Sequence, residues 1–258
     1  SILTYSESTE LEQTLTEYVD VNIKGVFNVL EFCRKRNISR YIYTISHRDI
    51  EGHWKNGKLL KADLPIKINY EGDHVMYAIT KTSAMMMGDY YHYLTGMKVF
   101  NLRLPMIFSI PEKNWYYAHG EKKIIPFLSI IRDAMSGTRL EVWGDKNMKR
   151  DYVHMDNLLQ MINLCLTTEL TAGIFNVGTG EAVTTEDFIR TVAEVFSPHG
   201  ENCEIIYRPH NKTYKCTSYD ISTEHDQLGY DPIYLREMLI RLKDDIIKTN
   251  IFKKWDWK

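Results

Sequence analysis

The sequence predicts an α/β fold in which a parallel sheet is flanked by helices. Two observations support this fold class. Amphipathic helical stretches alternate with short apolar stretches, which is the order that produces parallel strands joined by helical crossovers. The composition is that of a globular protein, since 44% of the 258 residues are hydrophobic and 26% are charged. A chain of this length accommodates one large domain, or a main domain with a smaller lobe.

The first part of the chain contains two predicted helices and two predicted strands. Apolar residues at helical spacing predict a helix over residues 15–36, and a short β-type run predicts a strand over residues 40–45. A second helix is predicted over residues 73–94, and Gly96 is suited to be its C-cap. The next strand is predicted over residues 98–104.

The rest of the chain continues the alternation with shorter elements. Thr184 precedes the acidic pair Glu186 and Asp187, which is typical of a capped helix start. The predicted strands cover residues 140–143 and 173–178, and the predicted helices cover residues 126–135, residues 156–166, a stretch that begins after Thr184, and residues 234–248.

Charge and cysteine spacing exclude several classes of protein. The 32 Lys and Arg residues are balanced by 34 Asp and Glu residues, which argues against a protein that holds nucleic acid by bulk positive charge. No apolar run has the length needed to cross a bilayer. Cys33, Cys165, Cys203 and Cys216 form no close pair, so neither a zinc cluster nor a disulfide scaffold is indicated. We therefore expect a cytoplasmic enzyme or binding protein without a metal.

Tyr77 and Lys81 carry the sharpest chemical signal. Residues four apart share a helix face, so the phenol and the ammonium can lie close together. A nearby cation favours the phenolate and lowers the tyrosine pKa, and such a tyrosine can take a proton from a substrate hydroxyl. The spacing alone is also common on solvated helix faces, and its meaning depends on the surrounding elements.

Polar residues at the end of the first strand provide that context. Thr44 and Ser46 lie at the end of the strand, about thirty residues before Tyr77, and ligands of open parallel sheets bind beyond the carboxyl ends of the strands. The Ser46 hydroxyl can bond the same substrate oxygen as Tyr77, or it can simply cap a turn. Ser46, His47 and Asp49 could suggest a hydrolase triad, but neighbours in one turn rarely point at each other, and we reject that interpretation.

Several segments resemble, in the same order, those of the extended short-chain dehydrogenase/reductase family, in its nucleotide-sugar epimerase/dehydratase branch. Residues 77–81 correspond to the YxxxK motif of that family, and residues 43–46 correspond to its serine-bearing strand end. The resemblance runs through nearly the whole chain. The further matching segments are residues 21–31, 101–104, 143–145, 150–156 and 175–180.

The resemblance implies a catalytic and cofactor-binding role for five residues. Tyr77 would be the acid/base on a sugar hydroxyl, and Lys81 would hold the nicotinamide ribose and depress the tyrosine pKa. Ser46 would share the substrate oxygen, with Thr44 beside it at the cofactor. Asn22 would lie near the cofactor.

The resemblance also implies three substrate-binding residues. Arg150 and Arg208 would bind the diphosphate of a nucleotide sugar, a task suited to a fork of charged donors. Trp143 would line the pocket of the base. The alternatives are surface ion pairs for the two arginines and core packing for Trp143.

The family resemblance further predicts the domain organisation. It implies a Rossmann-type parallel sheet, without its N-terminal strands in this chain, and a smaller substrate-binding lobe. Residues 1–110 and 151–177 would form the dinucleotide-binding domain, and residues 111–150 and 178–258 the nucleotide-sugar-binding lobe. The cofactor would be NAD or NADP, because the acidic residue that decides between them does not occur in this sequence.

The family begins with a glycine-rich strand–turn–helix unit that binds the pyrophosphate of the dinucleotide. No such glycine-rich fingerprint occurs in this sequence, and residues 1–5 correspond to the end of the family's fourth strand. We therefore expect the natural protein to be longer than this chain.

The implied function is NAD-dependent epimerisation of a nucleotide sugar at C4. No Asp-Glu pair follows Thr44, as it does in the 4,6-dehydratases, so dehydration is less favoured. The alternatives are a nucleotide-sugar reductase or another sugar-nucleotide oxidoreductase, and a catalytically silent cofactor-binding protein of the same fold. The resemblance also implies a homodimer that packs through residues 15–36 and 73–94.

Overall fold

The computed structural model describes residues 15–71, 74–118, 121–199, 203–213, 215 and 217–257. The strand end predicted at residues 1–5 and the residue Cys216 lie outside the described residues. The helices are a π-helical segment Tyr18–Gly25, α1 Val26–Lys35, a 3-10 segment His47–His53, α2 Val75–Thr95, α3 Pro126–Met135, α4 Met155–Thr167, α5 Thr185–Phe196, α6 Ser222–Leu228, α7 Leu235–Thr249 and α8 Ile251–Lys254. The strands are β1 Arg40–Ser46, β2 Leu59–Leu60, β3 Lys98–Leu104, β4 Ile107–Phe108, β5 Trp115–Ala118, β6 Glu121–Ile124, β7 Leu140–Trp143, β8 Lys149–Arg150, β9 Val153–His154, β10 Ala172–Asn176, β11 Val183–Thr184, β12 Ile205–Arg208 and β13 Ser218–Tyr219.

The central sheet is parallel, as the alternation of elements predicts. Strand β3 lies between β1 and β10, and both pair with it in the parallel direction. The register sets Ser46 opposite Leu104, so the carboxyl ends of β1 and β3 meet at one edge. Residues Val99–Leu102 of β3 are buried, as expected for the middle strand of a covered sheet. The predicted α/β fold class is confirmed.

Two long helices cover one face of this sheet. The chain is helical from residue 15, and its π-helical segment continues directly into α1. Val26 and Leu30 of α1 pack with Ala84 and Met85 of α2 against Ile45 of β1. This packing therefore fixes the position of α2 relative to the end of β1.

Helix α2 ends where the sequence predicts. Gly96 adopts the left-handed conformation with φ of 72°, and its N–H donates to the carbonyl of His92. A residue with a Cβ is strained in this conformation, which explains the glycine at the helix end.

A second core lies among α3, α5, α7 and the short strand β7. Leu140 and Val142 of β7 point into it, together with Ile189 of α5 and Leu242 of α7. The start of α5 is capped as predicted, because the Thr184 hydroxyl accepts a hydrogen bond from the N–H of Asp187 at 3.0 Å.

Some elements differ from the sequence prediction. Residues 115–118 and 121–124, which show no strand pattern in the sequence, form the antiparallel pair β5–β6. Strand β12 pairs in parallel with β7 and was also not predicted. The division of the chain into two domains stays a prediction. Within the described residues, no helix combines the length and apolar character that a bilayer crossing requires.

Candidate functional site

Tyr77 and Ser46 meet at the carboxyl edge of the central sheet. Tyr77 lies in the first turn of α2, and the side chain of Ser46, the last residue of β1, lies close enough to its hydroxyl to lower the tyrosine pKa. The Ser46 oxygen also accepts the backbone N–H of Arg48 at 3.3 Å. The structure therefore brings together the two hydroxyls that the sequence analysis assigns to one substrate oxygen.

The acidity of Tyr77 differs in direction from the sequence expectation. Burial raises the pKa of Tyr77, and the nearby side chain of Ser46 and the positive charge of Arg48 only partly offset this effect. Lys81 is not among the groups that shift this pKa, and the role that the resemblance implies for it stays a prediction. Arg48 is a residue that the sequence analysis missed.

Lys81 is buried beside Tyr43. Its ammonium lies 4.1 Å from the centroid of the Tyr43 ring and has no hydrogen-bond partner among the described residues. Burial lowers the pKa of Lys81 to about 8. A buried ammonium with three unused donors is costly unless a ligand supplies acceptors.

Asn22 and Thr44 lie on the elements next to Lys81. Asn22 is fully buried on the π-helical segment, and its Nδ2 donates to the Thr80 hydroxyl of α2 at 3.0 Å. Its Oδ1 has no partner in the described part of the chain. Thr44 is half-buried on β1, two residues before Ser46. The two unpartnered polar atoms, Asn22 Oδ1 and Lys81 Nζ, therefore belong to the π-helical segment and to α2, which pack against each other.

The structure contains a cavity of about 720 Å³, and its lining does not include Ser46, Tyr77 or Lys81. Met106, two residues after the end of β3, lines it, and Leu104 of β3 pairs with Ser46. The other walls come from α3, β7 and α5. This volume is in the range of pockets that hold small organic ligands.

Two of the three predicted substrate residues line this cavity, namely Trp143 and Arg150. The Arg150 guanidinium lies 5.7 Å from the centroid of the Tyr152 ring, and its buried Nε has no partner among the described residues. Trp143 is 55% exposed, so it does not have the core position that was its alternative.

Arg208 lies on β12 beside Trp143 but is not among the residues that line the cavity. Its guanidinium pairs with Glu141 at 2.9 Å. Glu141 does line the cavity, and it is a second residue that the sequence analysis missed. The predicted placement of both arginines at one diphosphate stays a prediction.

The 150–156 and 175–180 motifs are joined by a buried acid. Asp151 accepts hydrogen bonds from the N–H and the hydroxyl of Thr179, and burial raises its pKa to about 6. A Cβ on Gly178 would lie 2.8 Å from Asp151 Oδ2, which explains the glycine. Asp151 therefore holds the strand that carries Arg150 against the loop after β10.

Asp49 has a structural role. It pairs with Arg103 at 2.9 Å, and both side chains are almost completely buried. Arg103 also donates to the Ala62 carbonyl and to Asn176 Oδ1, both at 3.0 Å. Because its carboxylate is turned to Arg103, Asp49 does not act on His47, in agreement with the rejection of a triad. Among the described residues, no cluster of His, Cys, Asp and Glu could hold a metal ion.

Comparison with known proteins identifies the family. Residues 5–178 match the profile of the NAD dependent epimerase/dehydratase family, which is more than half of the chain. The chain belongs to this family.

The sequence relatives are distant and longer. An uncharacterized protein of Methanocaldococcus jannaschii is 24% identical over 221 residues, which cover 83% of this chain and 61% of that protein. A UDP-glucuronate 4-epimerase of Arabidopsis thaliana is 22% identical over 84% of this chain and 50% of its own length. The chain thus spans between one half and two thirds of the length of these relatives.

Solved structures share the fold. A UDP-glucose 4-epimerase of Thermotoga maritima, solved with UDP-glucose, superimposes with a TM-score of 0.71 at 20% identity and covers 96% of this chain and 76% of that one. A UDP-glucuronic acid 4-epimerase of Bacillus cereus, solved with NAD, gives a TM-score of 0.66 at 20% identity, with 91% and 70% covered. The predicted Rossmann-type fold is confirmed.

Proposed function

We propose that this protein is an NAD-dependent 4-epimerase of nucleotide sugars. The observations that support this best are the proximity of the Tyr77 and Ser46 side chains at the carboxyl edge of a parallel sheet and the cavity that Arg150 and Trp143 line. Relatives of this fold include 4-epimerases of UDP-glucose and UDP-glucuronic acid. The intact set of Ser46, Tyr77 and Lys81 argues against a catalytically silent protein.

The polar atoms near Tyr77 fit a bound dinucleotide. The Lys81 ammonium and the Asn22 carboxamide oxygen are buried and lack partners in the described residues, so they can bind ribose hydroxyls and a nicotinamide amide. We assign Lys81, Asn22 and Thr44 to this cofactor. We propose NAD rather than NADP because solved relatives contain NAD.

The proposed chemistry of the chain is proton transfer at one sugar oxygen. Tyr77 removes the proton of the C4 hydroxyl while Ser46 binds the same oxygen. When bound, NAD supplies the hydride acceptor for C4 and later the hydride donor. Tyr77 returns the proton after the resulting ketosugar has turned its opposite face toward the cofactor.

The protein would hold the substrate by its nucleotide part, at a distance from the reacting carbon C4. We propose that Arg150 and Arg208 bind the diphosphate and that Trp143 contacts the base. Such remote contacts let the sugar turn while the nucleotide stays in place.

The test supplies the natural protein with NAD and a panel of UDP- and dTDP-hexoses and follows the products by NMR. Formation of the C4 epimer without net change in NADH absorbance is the expected result. Stoichiometric formation of NADH, with oxidation of the sugar, would instead show that the protein is a nucleotide-sugar oxidoreductase and not an epimerase. Tight binding of NAD without any turnover, in a protein that retains Tyr77, would instead establish the silent binding protein.

A further inference from the structure

Three side chains lie together on the outward face of the β7–β12 pair. Leu140 and Val142 of β7 are buried in the second core, so the alternating Glu141 and Trp143 point away from it. Arg208 of β12 is the register partner of Trp143. Residues i and i+2 on one strand and the partner of the second residue on the next strand share a face. The strand geometry alone therefore brings Glu141, Trp143 and Arg208 together.

The Glu141 carboxylate joins the other two side chains. One of its oxygens accepts the indole N–H of Trp143 at 2.7 Å, and the other accepts Nε and Nη2 of Arg208 at 3.1 Å and 2.9 Å. The bonds to Trp143 and Arg208 lower the pKa of Glu141, so the carboxylate is ionised at neutral pH. Each oxygen thus orders a different side chain.

We propose that Glu141 is a positioning residue for nucleotide binding, whose carboxylate holds in place the Trp143 indole, which lines the cavity, and the Arg208 guanidinium beside it. The inference rests on the proposed function, which assigns the base and the diphosphate to these two side chains. Binding a ligand orders the side chains that contact it, and this ordering lowers affinity unless the free protein has ordered them already. Glu141 provides that order before the ligand arrives.

Two other roles for Glu141 predict different behaviour. A solvent-exposed ion pair without function contributes little, and its removal leaves ligand affinity unchanged. A carboxylate that competes with phosphate for Arg208 would weaken binding, and its removal would increase affinity. The geometry favours positioning, because Glu141 occupies only the Nε and Nη2 edge of Arg208, and Nη1 makes no hydrogen bond within the described residues.

The first experiment measures Trp143 in the ligand-free protein. The chain contains five tryptophans, so ¹⁹F NMR with 5-fluorotryptophan gives few resonances, and Trp143→Phe identifies the one from Trp143. Glu141→Ala should shift and narrow this resonance and leave the other four unchanged. Glu141→Gln keeps an oxygen acceptor for the indole and should restore most of the wild-type signal. An unchanged Trp143 resonance in Glu141→Ala would overturn the proposal.

The second experiment measures the dissociation constants of UDP and dTDP by calorimetry. We expect Glu141→Ala to weaken binding of the better probe about tenfold, because two side chains lose their order, and Glu141→Gln to weaken it about threefold. Glu194→Ala removes a comparable exposed partner of an arginine, Arg236, on another part of the surface and should have no effect. Unchanged or tighter binding in Glu141→Ala would contradict a positioning role.

The two measurements separate this inference from the proposed function. Wild-type protein that binds neither UDP nor dTDP would refute the proposed substrate class and, with it, a role of Glu141 in nucleotide binding. Wild-type protein that binds a probe, combined with an unaltered affinity in Glu141→Ala, would refute only the role of Glu141. In the active holoenzyme, Glu141→Ala should raise KM and leave kcat nearly unchanged.

Discussion

Two opposing influences act on the hydroxyl of Tyr77. Burial raises its pKa, whereas the side chain of Ser46 and the charge of Arg48 lower it. The Lys81 ammonium, which the YxxxK spacing predicts as the principal cation, lies instead against the ring of Tyr43. In the ligand-free protein, the groups that favour the phenolate therefore come from the end of β1 and the turn that follows it.

Removal of the Tyr77 hydroxyl tests its role directly. We expect Tyr77→Phe to reduce kcat by about two to four orders of magnitude, the usual contribution of a positioned acid or base, with little change in substrate affinity. Steady-state kinetics with the substrate found in the panel measures this effect. Tyr70→Phe alters a tyrosine that is 75% exposed and should retain full activity. Near-normal turnover in Tyr77→Phe would exclude Tyr77 from the mechanism.

Lys81 is expected to destabilise the ligand-free fold. Its pKa falls from 10.5 to about 8 on burial, so the folded state binds this proton less tightly than the unfolded state does. The penalty is fully present below about pH 8 and disappears as the pH rises from about 8 toward 10.5. A residue that weakens the fold at neutral pH and lies in the candidate site is expected to be retained for function.

A substitution that removes this charge should therefore stabilise the protein. We expect Lys81→Met to raise the free energy of unfolding at pH 7 by about 1–3 kcal/mol, and the gain to shrink above pH 8. Urea denaturation of the ligand-free protein between pH 6 and 10 measures it. Lys58→Met removes an exposed lysine and should leave stability nearly unchanged. A destabilised Lys81→Met protein at pH 7 would show that the ammonium is better satisfied than its surroundings suggest.

At the scale of elements, periodicity and end signals predict the long helices and the sheet. The bounds of β3 and α3 agree with the predicted ranges, and Gly96 and Thr184 mark helix ends because their local geometry requires those residue types. The π-helical segment has no sequence signal of its own, because it differs from an α-helix only in which carbonyl each N–H reaches. The pair β5–β6 was missed because it pairs locally, without the alternation that burial on one face produces.

The candidate site also contains both residues that local sequence signals predict and a residue that they do not. Ser46, Tyr77 and Lys81 could be predicted because each lies at a recognisable end or face of one element. Glu141 could not be predicted, because its partner Arg208 is 67 residues away and is reached only through the pairing of β7 with β12. Contacts of this kind depend on the register between distant strands, which one sequence does not reveal.

A buried carboxylate joins helix α6 to the central sheet. Glu224 is fully buried, and its Oε1 accepts the N–H of Asn176, the last residue of β10, at 2.5 Å. Its Oε2 has no partner among the described residues. Burial raises the pKa of Glu224 from 4.5 to about 7, although the hydrogen bond from the Asn176 N–H opposes this shift. The attachment of α6 to the sheet is therefore expected to depend on pH.

The direction of this pH dependence follows from proton binding. The folded state holds the Glu224 proton more tightly than the unfolded state, so its contribution to stability is complete below about pH 4.5 and is lost as the pH rises to about 7. Glu224→Gln keeps an oxygen acceptor for Asn176 and should remove this loss. We expect the free energy of unfolding of Glu224→Gln to exceed that of wild type by about 2–3 kcal/mol at pH 7.5 and to differ little from it at pH 4.5.

Denaturant unfolding at several pH values measures this difference. Asp226→Asn neutralises an exposed acid on the same helix and serves as the control. Asp151, whose pKa is also raised, contributes a similar slope below about pH 6 in every variant. Parallel stability curves for wild type and Glu224→Gln between pH 4.5 and 7.5 would mean that Glu224 does not titrate in this range.

At the scale of the whole molecule, the two long helices α1 and α2 expose several large apolar side chains. Helices α1 and α2 pack against each other, and their outer sides expose Phe27, Phe32, Met86 and Tyr90, each about half accessible. Met85, the neighbour of Met86, points inward to the core. Contiguous apolar patches on soluble proteins commonly mark sites of association.

We expect this face to pair with its copy in a second molecule. The family resemblance implies a homodimer through residues 15–36 and 73–94, and a two-fold axis would bring both exposed helix faces together in an isologous contact. Light scattering of the wild-type protein at micromolar concentration should give twice the mass of one chain. Phe32→Lys and Met86→Lys place charges at the centre of the proposed contact and should shift the equilibrium to monomer.

The control for this prediction is Leu166→Lys, which alters a leucine that is 55% exposed on α4, outside the proposed contact. It should remain dimeric, since a charge on a surface that stays in solvent has no desolvation cost. Monomeric wild-type protein would refute the dimer. Dimers that persist in both Phe32→Lys and Met86→Lys would show that the interface does not involve α1 and α2, because a lysine at either position would otherwise be buried without a partner.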